Sequence, residues 1–561
     1  MRISAGNMNY LFYIAVVFTI ISRAIFIKVP FFISDEAQLM TFGAQLLNGA
    51  YYARDVVDIR GPGGYYLAAV ITWFFGFGNT VAFHAAGIMV HLVVLLLLRR
   101  LAGQLFNRET ANTACLFYAV FSYSYIFHDM LALNVEVLAL PFLLGSALFF
   151  WGGLRRLEQG APGYFWRFLV CGLFCAITFS IKQVMAGCLL AYLLLPVIGW
   201  RKKALPLHGL RQMAPLWLGF AAGFLLIFGP GMVEVGVKET FYWLAWFSMR
   251  HYNPGLLGRT TLFTQRAILL YIAQPLLWTL CLLWLGKFIQ GYGREEYQKI
   301  EGKLFILILW ASQMGGAWLA GQVAGHYFIP AMAIVSIMSA EYFIGVLTYL
   351  RKMEFYRLYY RPLIVFLVFL GFMPPLLNYT LFPEGVQTAD YSITSFIREK
   401  LFSRDDPVTR AVAYIRENSA PEDKIYVLGH FYELYPSAQR LPATVALQLN
   451  WFRDRFEDAY LSKTYNLIIH SLEKAPPRVI VLPCPVYRGI DFDEGPWQEI
   501  RDLLKNRYQN PQRFSWKSRL RFFSGKQKLM ENVEEWIEVY LLKPGEGEAA
   551  AERRGPRDRP Q

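Results

Sequence analysis

Residues 79–100 read NTVAFHAAGIMVHLVVLLLLRR, an apolar run closed by two arginines. Twenty such residues are what an α-helix needs to cross a bilayer core of roughly 30 Å. Arg99 and Arg100 then mark the cytoplasmic end, because basic residues collect on that side.

Ten further stretches meet or approach the same length, so eleven spans are expected in all: 9–27, 79–98, 110–128, 131–152, 164–181, 183–200, 213–230, 267–288, 303–321, 326–349 and 361–381. With a cytoplasmic N-terminus, the inside loops hold the basic clusters: Arg99, Arg100 and Arg108; Arg155, Arg156 and Arg167; Arg201 to Lys203 with Arg211; Lys287, Arg294, Lys299 and Lys303; Arg351, Lys352, Arg357 and Arg361. Two long loops, 28–78 and 231–266, are left outside with few positive charges. Gly64 to Phe77 is apolar but short and follows Gly61-Pro62-Gly63. Counting it as a span would invert every later loop, so it is expected to lie at the outer interface as a juxtamembrane helix.

Composition agrees. Of 561 residues, 55% are hydrophobic and 17% charged, against roughly 25% charged in ordinary soluble chains, which excludes a soluble globular enzyme. The net charge of +14 is spent on loop clusters and reads as topology, so nucleic acid is not an expected partner. Five of six cysteines (Cys115, Cys171, Cys175, Cys188 and Cys281) fall in apolar runs, leaving only Cys484 elsewhere. That pattern offers neither a disulfide framework nor zinc-ligand spacing. The apolar run Tyr10 to Ile27 follows Arg2 and is not succeeded by a small-residue cleavage site, so it reads as an uncleaved first span.

After about residue 384 the hydropathy falls. Val408 to Asn418 reads as an amphipathic helix, Ile425 to Gly429 and Val479 to Pro483 as buried strands, Trp497 to Tyr508 as a helix and Glu538 to Leu542 as a last strand. The expected organisation is a membrane module over 1–383, a small extracytoplasmic α/β domain over 384–543 and a disordered Gly-, Pro-, Glu- and Arg-rich tail over 544–561.

The residues that can carry chemistry gather at the outer ends of the spans. Ser34-Asp35-Glu36 opens the first external loop. It reads either as a helix start, with Ser34 as N-cap and the acids favoured by the helix dipole, or with Asp35 as a general base whose proton affinity is raised by partial desolvation. Asp58, Arg60 and the turn Gly61-Pro62-Gly63-Gly64 follow. Glu136 opens the fourth span, where an unpaired acid costs a few kcal/mol. Lys182 sits in a nearly chargeless turn between the fifth and sixth spans; it reads as a phosphate ligand or as a snorkelling lysine. His326 opens the tenth span as a phosphate ligand or a hydrogen-bonded interfacial histidine. Arg250, among the aromatics of 243–252, reads as a third cation for phosphate or as an interface anchor. Asp35, Asp58 and Glu136 could also bind a divalent cation, although no ligand spacing supports one.

The Asp35-Glu36 pair after the first span, followed by Asp58-Ile59-Arg60-Gly61-Pro62 and Tyr65-Tyr66, resembles the protein O-mannosyltransferase and aminoarabinose-transferase superfamily of GT-C glycosyltransferases. Glu136, the segment Gly325-His326-Tyr327-Phe328-Ile329-Pro330 and, more weakly, Lys424 to Gly429 with Glu433-Leu434-Tyr435 extend the resemblance. Arg60 stands where the family usually has Lys, and Gly61 where it has the first Pro. The resemblance implies a multi-pass inner-membrane enzyme that transfers a monosaccharide from a polyprenyl phosphate to a lipid, glycan or protein acceptor of the cell envelope, lipopolysaccharide among them. Asp35 would be the catalytic base, Glu36, Asp58 and Glu136 would orient the reactants, and Arg60, Lys182, His326 and Arg250 would hold the donor phosphate. A lipid-sugar flippase or transporter would need matched repeats and mid-bilayer charges, and neither is apparent. A non-catalytic assembly protein on the same scaffold is the other alternative.

Overall fold

The computed structural model describes residues 9–124, 130–201, 211–251, 255–292, 297–320, 325–350, 407–429, 431–445, 458–484, 497–524 and 527–544. Helices occupy the first ten expected spans; the eleventh, 361–381, lies outside the described residues, as do the expected domain boundary near 383 and the tail from 545. Among the described residues, five helices are long and apolar enough to cross a membrane by themselves: Thr80–Leu105, Val135–Glu158, Tyr164–Ile181, Ala214–Glu234 and Gly325–Leu350.

A further pair, Gly255–Ala273 and Pro275–Gly291, passes the same test only when taken together and is bent by 112° at Gln274, as a broken span or a re-entrant loop. This corrects the continuous span expected over 267–288. Pro275 supplies no N–H to the preceding turn and drives the residue before it out of the helical region, and Gln274 accordingly sits at φ −142°, ψ 59°. Its side-chain amide is turned inward and donates to the Phe121 carbonyl.

Small residues set the tightest helix contact. A Cβ on Gly172 would lie 1.8 Å from the Leu216 carbonyl oxygen, and one on Gly219 would lie 2.0 Å from that of Leu169. Helices Tyr164–Ile181 and Ala214–Glu234 therefore pack backbone to backbone, which dispersion rewards where lipid offers no hydrophobic drive. Helix Gly63–Phe75 spans 13 residues, roughly 20 Å at 1.5 Å per residue, too short to cross. It leaves Val70, Trp73, Phe74 and Phe75 exposed.

The C-terminal part is a four-stranded sheet in the order β1-β2-β4-β3, with β1 Ile425–Val427, β2 Val479–Cys484, β3 Gln512–Ser524 and β4 Gln527–Leu541. β1 and β2 are parallel, with Ile425 opposite Val479; the β3–β4 hairpin is antiparallel and joins β2 through β4. Helix Ala459–Lys474 connects β1 to β2 and starts at Asp458, whose carboxylate accepts from the N–H groups of Tyr460 and Leu461. One apolar core holds Ile468, Leu472, Ile480 and Leu504 of this domain together with Tyr52, Val57, Phe228 and Trp243 of the membrane module. The two long loops are thus packed against the sheet domain.

Candidate functional site

Helix Ser34–Leu47 carries the first acids. The expected Ser34 cap does not form: the cap position is Ile33, with no side-chain cap, and the Ser34 hydroxyl instead donates to Glu433 of the sheet domain at 3.1 Å. Phe42 meets Tyr432 edge-on, 5.5 Å between ring centres. Asp35 is therefore fixed by docking of its helix under the sheet domain.

Asp35 and Glu36 point to opposite fates. Glu36 is fully buried, and its carboxylate accepts from the N–H groups of Phe32 and Leu133. The His84 Nε2 lies 3.2 Å from the same carboxylate while Nδ1 faces the Ile27 carbonyl at 3.1 Å. Glu36 ties three segments together and presents nothing to a substrate. The Asp35 side chain keeps 17% exposure, the most of any carboxylate in the group, and pairs with the Arg60 guanidinium at 2.7 Å.

Arg60 is the hub. It donates to Gln38 at 3.1 Å and lies 3.8 Å from Asp58. Asp58 is 1% exposed; it takes the Ile59 N–H and a short hydrogen bond from the Tyr65 hydroxyl. Burial pushes its carboxyl upward, and Arg60 and Tyr65 hold it back without cancelling the rise. Tyr52 donates to the Arg60 carbonyl at 2.8 Å and locks the loop's backbone.

A second group lies alongside. Lys182 Nζ meets the Glu136 carboxylate at 2.8 Å and lies 4.1 Å from the centre of the Tyr327 ring, while His326 Nε2 is 3.8 Å from Glu136. Glu136 is 1% exposed and Lys182 6%. The two groups are joined through backbone. Gly61 and Gly63 press on Ser180, where added Cβ atoms would lie 2.3 Å from its carbonyl oxygen and 2.1 Å from its hydroxyl. The Gln183 amide bridges the Ile59 and Leu244 carbonyls at 2.9 and 2.8 Å. The turn after Arg60 and the turn holding Lys182 are one rigid unit, and the charge of Arg60 acts on both Lys182 and Glu136.

Arg250 is placed elsewhere. It and His251 pair with Asp458 at 3.3 and 3.0 Å, and Tyr242 stacks on Tyr460 at 4.0 Å. This loop contact anchors helix Ala459–Lys474 rather than joining Arg60 and Lys182. Among the described residues no three His, Cys, Asp or Glu side chains are close enough to hold a metal ion. Gln38, His84, Tyr327 and Gln183 escape a sequence reading that looks for charges; only the i, i+3 spacing of Asp35 and Gln38 hints that they share a helix face.

An apolar groove of about 600 Å³ begins at Gln183 and Val184, which follow Lys182 in the chain, and runs past Leu190 and Leu194 to Leu307 and Leu319. Leu190, Leu194 and Leu319 are among its exposed side chains, so it is open along the helices.

Residues 60–231 match the family model described as dolichyl-phosphate-mannose-protein mannosyltransferase. The fold is similar to a crystal structure of ArnT from Cupriavidus metallidurans bound to undecaprenyl phosphate, with a TM-score of 0.57 and 10% identity over 96% of this chain and 98% of that one. The apo form of ArnT from Cupriavidus metallidurans is similar at a TM-score of 0.54 and 12% identity, over 96% of this chain and 98% of that one. No curated protein matches the chain significantly.

Proposed function

We propose that this chain is a membrane glycosyltransferase of the GT-C type, a reading supported by the family match and the fold likeness, and that it transfers a monosaccharide from a polyprenyl phosphate to a hydroxyl of a cell-envelope acceptor on the non-cytoplasmic side of the inner membrane. The observation that carries the reading is a pair of buried cations, Arg60 and Lys182, each held by a carboxylate, with an apolar groove whose lining begins at Gln183, the residue after Lys182. A polyprenyl phosphate needs that combination, a charge-assisted pocket for its phosphate and a greasy channel for its tail. The ArnT structure with undecaprenyl phosphate and the mannosyltransferase family model support the same donor class.

Each cation already has a carboxylate partner, Asp35 for Arg60 and Glu136 for Lys182. An arriving phosphate takes Arg60 from Asp35, so the donor itself frees the base. The acceptor oxygen then attacks the anomeric carbon while the bond from that carbon to the phosphate oxygen breaks. Asp35 takes the hydroxyl proton, and polyprenyl phosphate leaves with the bonding pair, its charge held by Arg60 and Lys182. A single displacement inverts the anomeric centre. Glu36 and Asp58 act as positioning residues, Glu136 orients Lys182, and His326 stands ready as a further donor to the phosphate.

Asp35→Asn tests the assignment. The amide keeps size and a hydrogen bond to Arg60 but cannot take the proton, so transfer from a polyprenyl-phosphate sugar should fall by about 10²–10⁴-fold with thermal stability nearly unchanged. Activity within a few-fold of wild type would remove Asp35 from the mechanism.

A further inference from the structure

We infer that a polar pocket between the membrane module and the sheet domain is a subsite for the saccharide part of the acceptor, an inference that rests on the transferase reading above. The pocket has a volume of about 300 Å³, at the lower end of the roughly 300–1,000 Å³ of small-molecule sites and suited to a short saccharide. It is built from five separate pieces of chain: the end of helix Ser34–Leu47 with the turn after it, the loop at Asp55, Lys424 just before β1, the segment from Leu441 to Val445, and helix Ala459–Lys474.

Its chemistry is that of sugar recognition. Gln45, Asn48, Thr444 and Ser471 offer amides and hydroxyls, while Leu441, Pro442 and Leu467 supply apolar wall for the C–H face of a ring. One Lys (Lys424) and one Asp (Asp55) balance each other at the pocket, so the lining favours a neutral ligand. Asp55 is already held by Arg54 and by the Tyr51 N–H.

Gln45 gives the second, independent observation. It is 8% exposed, lines this pocket, and its side-chain carbonyl oxygen has no hydrogen-bond donor among the described residues. A buried acceptor left without a donor costs about 1–3 kcal/mol, and native proteins rarely carry one without a reason. A turn of the Gln45 amide toward the pocket would let a sugar hydroxyl satisfy it.

Its place on the helix fits an acceptor. Gln45 follows Gln38, the Arg60 ligand, by seven residues, two turns on the same face and roughly 10 Å along the axis. A glycan whose reacting hydroxyl lies at Asp35 would reach this pocket with a sugar farther along its chain. The subsite would thus read the acceptor beyond its reacting unit, and the sheet domain, which supplies Thr444 and Ser471, would set acceptor choice.

The test uses the full chain in lipid nanodiscs, with maltotriose and triacetylchitotriose as probes in saturation-transfer NMR and undecaprenyl phosphate retention followed in parallel. Wild type should bind at least one trisaccharide. Ser471→Trp, which fills the pocket from the sheet domain, should weaken it by roughly tenfold or more and leave undecaprenyl phosphate retention unchanged. Thr444→Trp obstructs the pocket from another segment and serves if Ser471→Trp does not fold. Absence of trisaccharide binding in wild type, or equal binding in wild type and the folded Trp variant, would overturn the subsite. Trisaccharide binding that depends on the pocket in a protein that retains no undecaprenyl phosphate would uphold the subsite and count against the donor assignment.

Discussion

Replacing Gly61 by Ala should disable the protein without touching a charged group. The new Cβ would lie 2.3 Å from the Ser180 carbonyl oxygen, 3.0 Å from its carbonyl carbon and 3.2 Å from the Phe228 ring. Two of these are rigid backbone atoms. Opening the shortest contact toward the ~3.5 Å of ordinary van der Waals separation requires a displacement on the order of 1 Å. Overpacking of this kind costs about 1–3 kcal/mol of stability. The functional cost is larger, because Arg60 precedes Gly61 and Lys182 follows Ser180 by two residues, so the clash pushes the two cations apart. A misplacement of about 1 Å is worth roughly 10²-fold in rate, or about 2.7 kcal/mol of transition-state stabilisation. Thermal melting and kcat/KM for a polyprenyl-phosphate sugar would be measured together, with Gly229→Ala as control, since its Cβ meets nothing within 4 Å. A Gly61→Ala protein with wild-type kcat/KM and melting temperature would refute the rigid coupling of the two turns.

Two further predictions follow from the ion pairs. Lys182→Ala leaves Glu136 buried and uncompensated, so it should destabilise by about 3–5 kcal/mol. Adding Glu136→Ala should restore part of that, with a coupling of about 0.5–3 kcal/mol in a double-mutant cycle; strictly additive losses would mean that the pair makes no energetic contact. Burial works to raise the Asp458 carboxyl, but Tyr242, His251 and the N–H groups of Leu461 and Tyr460 outweigh it and hold the carboxyl below its usual range. Its contribution is therefore complete above the unfolded value near 3.9 and is lost as pH falls through the lower folded value. Pepsin cleavage within 237–251 should rise in wild type as pH drops below about 4, relative to an Asp458→Ala protein that is already open at higher pH; parallel profiles would detach this loop from Asp458.

The membrane module was legible because hydropathy and charge are one-dimensional signals: the runs from 79 to 98 and 164 to 181 become helices Thr80–Leu105 and Tyr164–Ile181. The bend at Gln274 was signalled by Pro275, yet its surroundings are apolar enough to read as one span. In the sheet domain, β1 and β2 announce themselves as short buried runs. The 13-residue β3 was missed because Gln512–Ser524 mixes Arg and Lys with aromatics, and helix Ala459–Lys474 because its Asp458 cap follows a polar stretch. At the site, adjacency in sequence misled: Asp35 and Glu36 look equivalent, but successive helix positions diverge by about 100°, which sends one toward Arg60 and the other into the core. The pairing of Lys182 with Glu136 joins residues 46 positions apart and depends on the packing of helix Val135–Glu158 against Tyr164–Ile181, where Gly145 meets Phe174 and Gly153 meets Phe168, which no local pattern encodes.

The donor is the most direct point of decision. Purified protein in nanodiscs would be given one sugar in two activated forms, as a polyprenyl-phosphate monosaccharide and as a nucleotide diphosphate, and release of polyprenyl phosphate or nucleotide would be followed with a hydroxyl acceptor present. Phosphate binding by Arg60 and Lys182, with a lipid tail in the apolar groove that begins at Gln183, predicts turnover of the lipid form alone, reduced by roughly ten- to a hundred-fold in Arg60→Ala through loss of a charge-assisted contact worth about 1.5–3 kcal/mol. Efficient turnover of the nucleotide sugar with no lipid carrier present would contradict it.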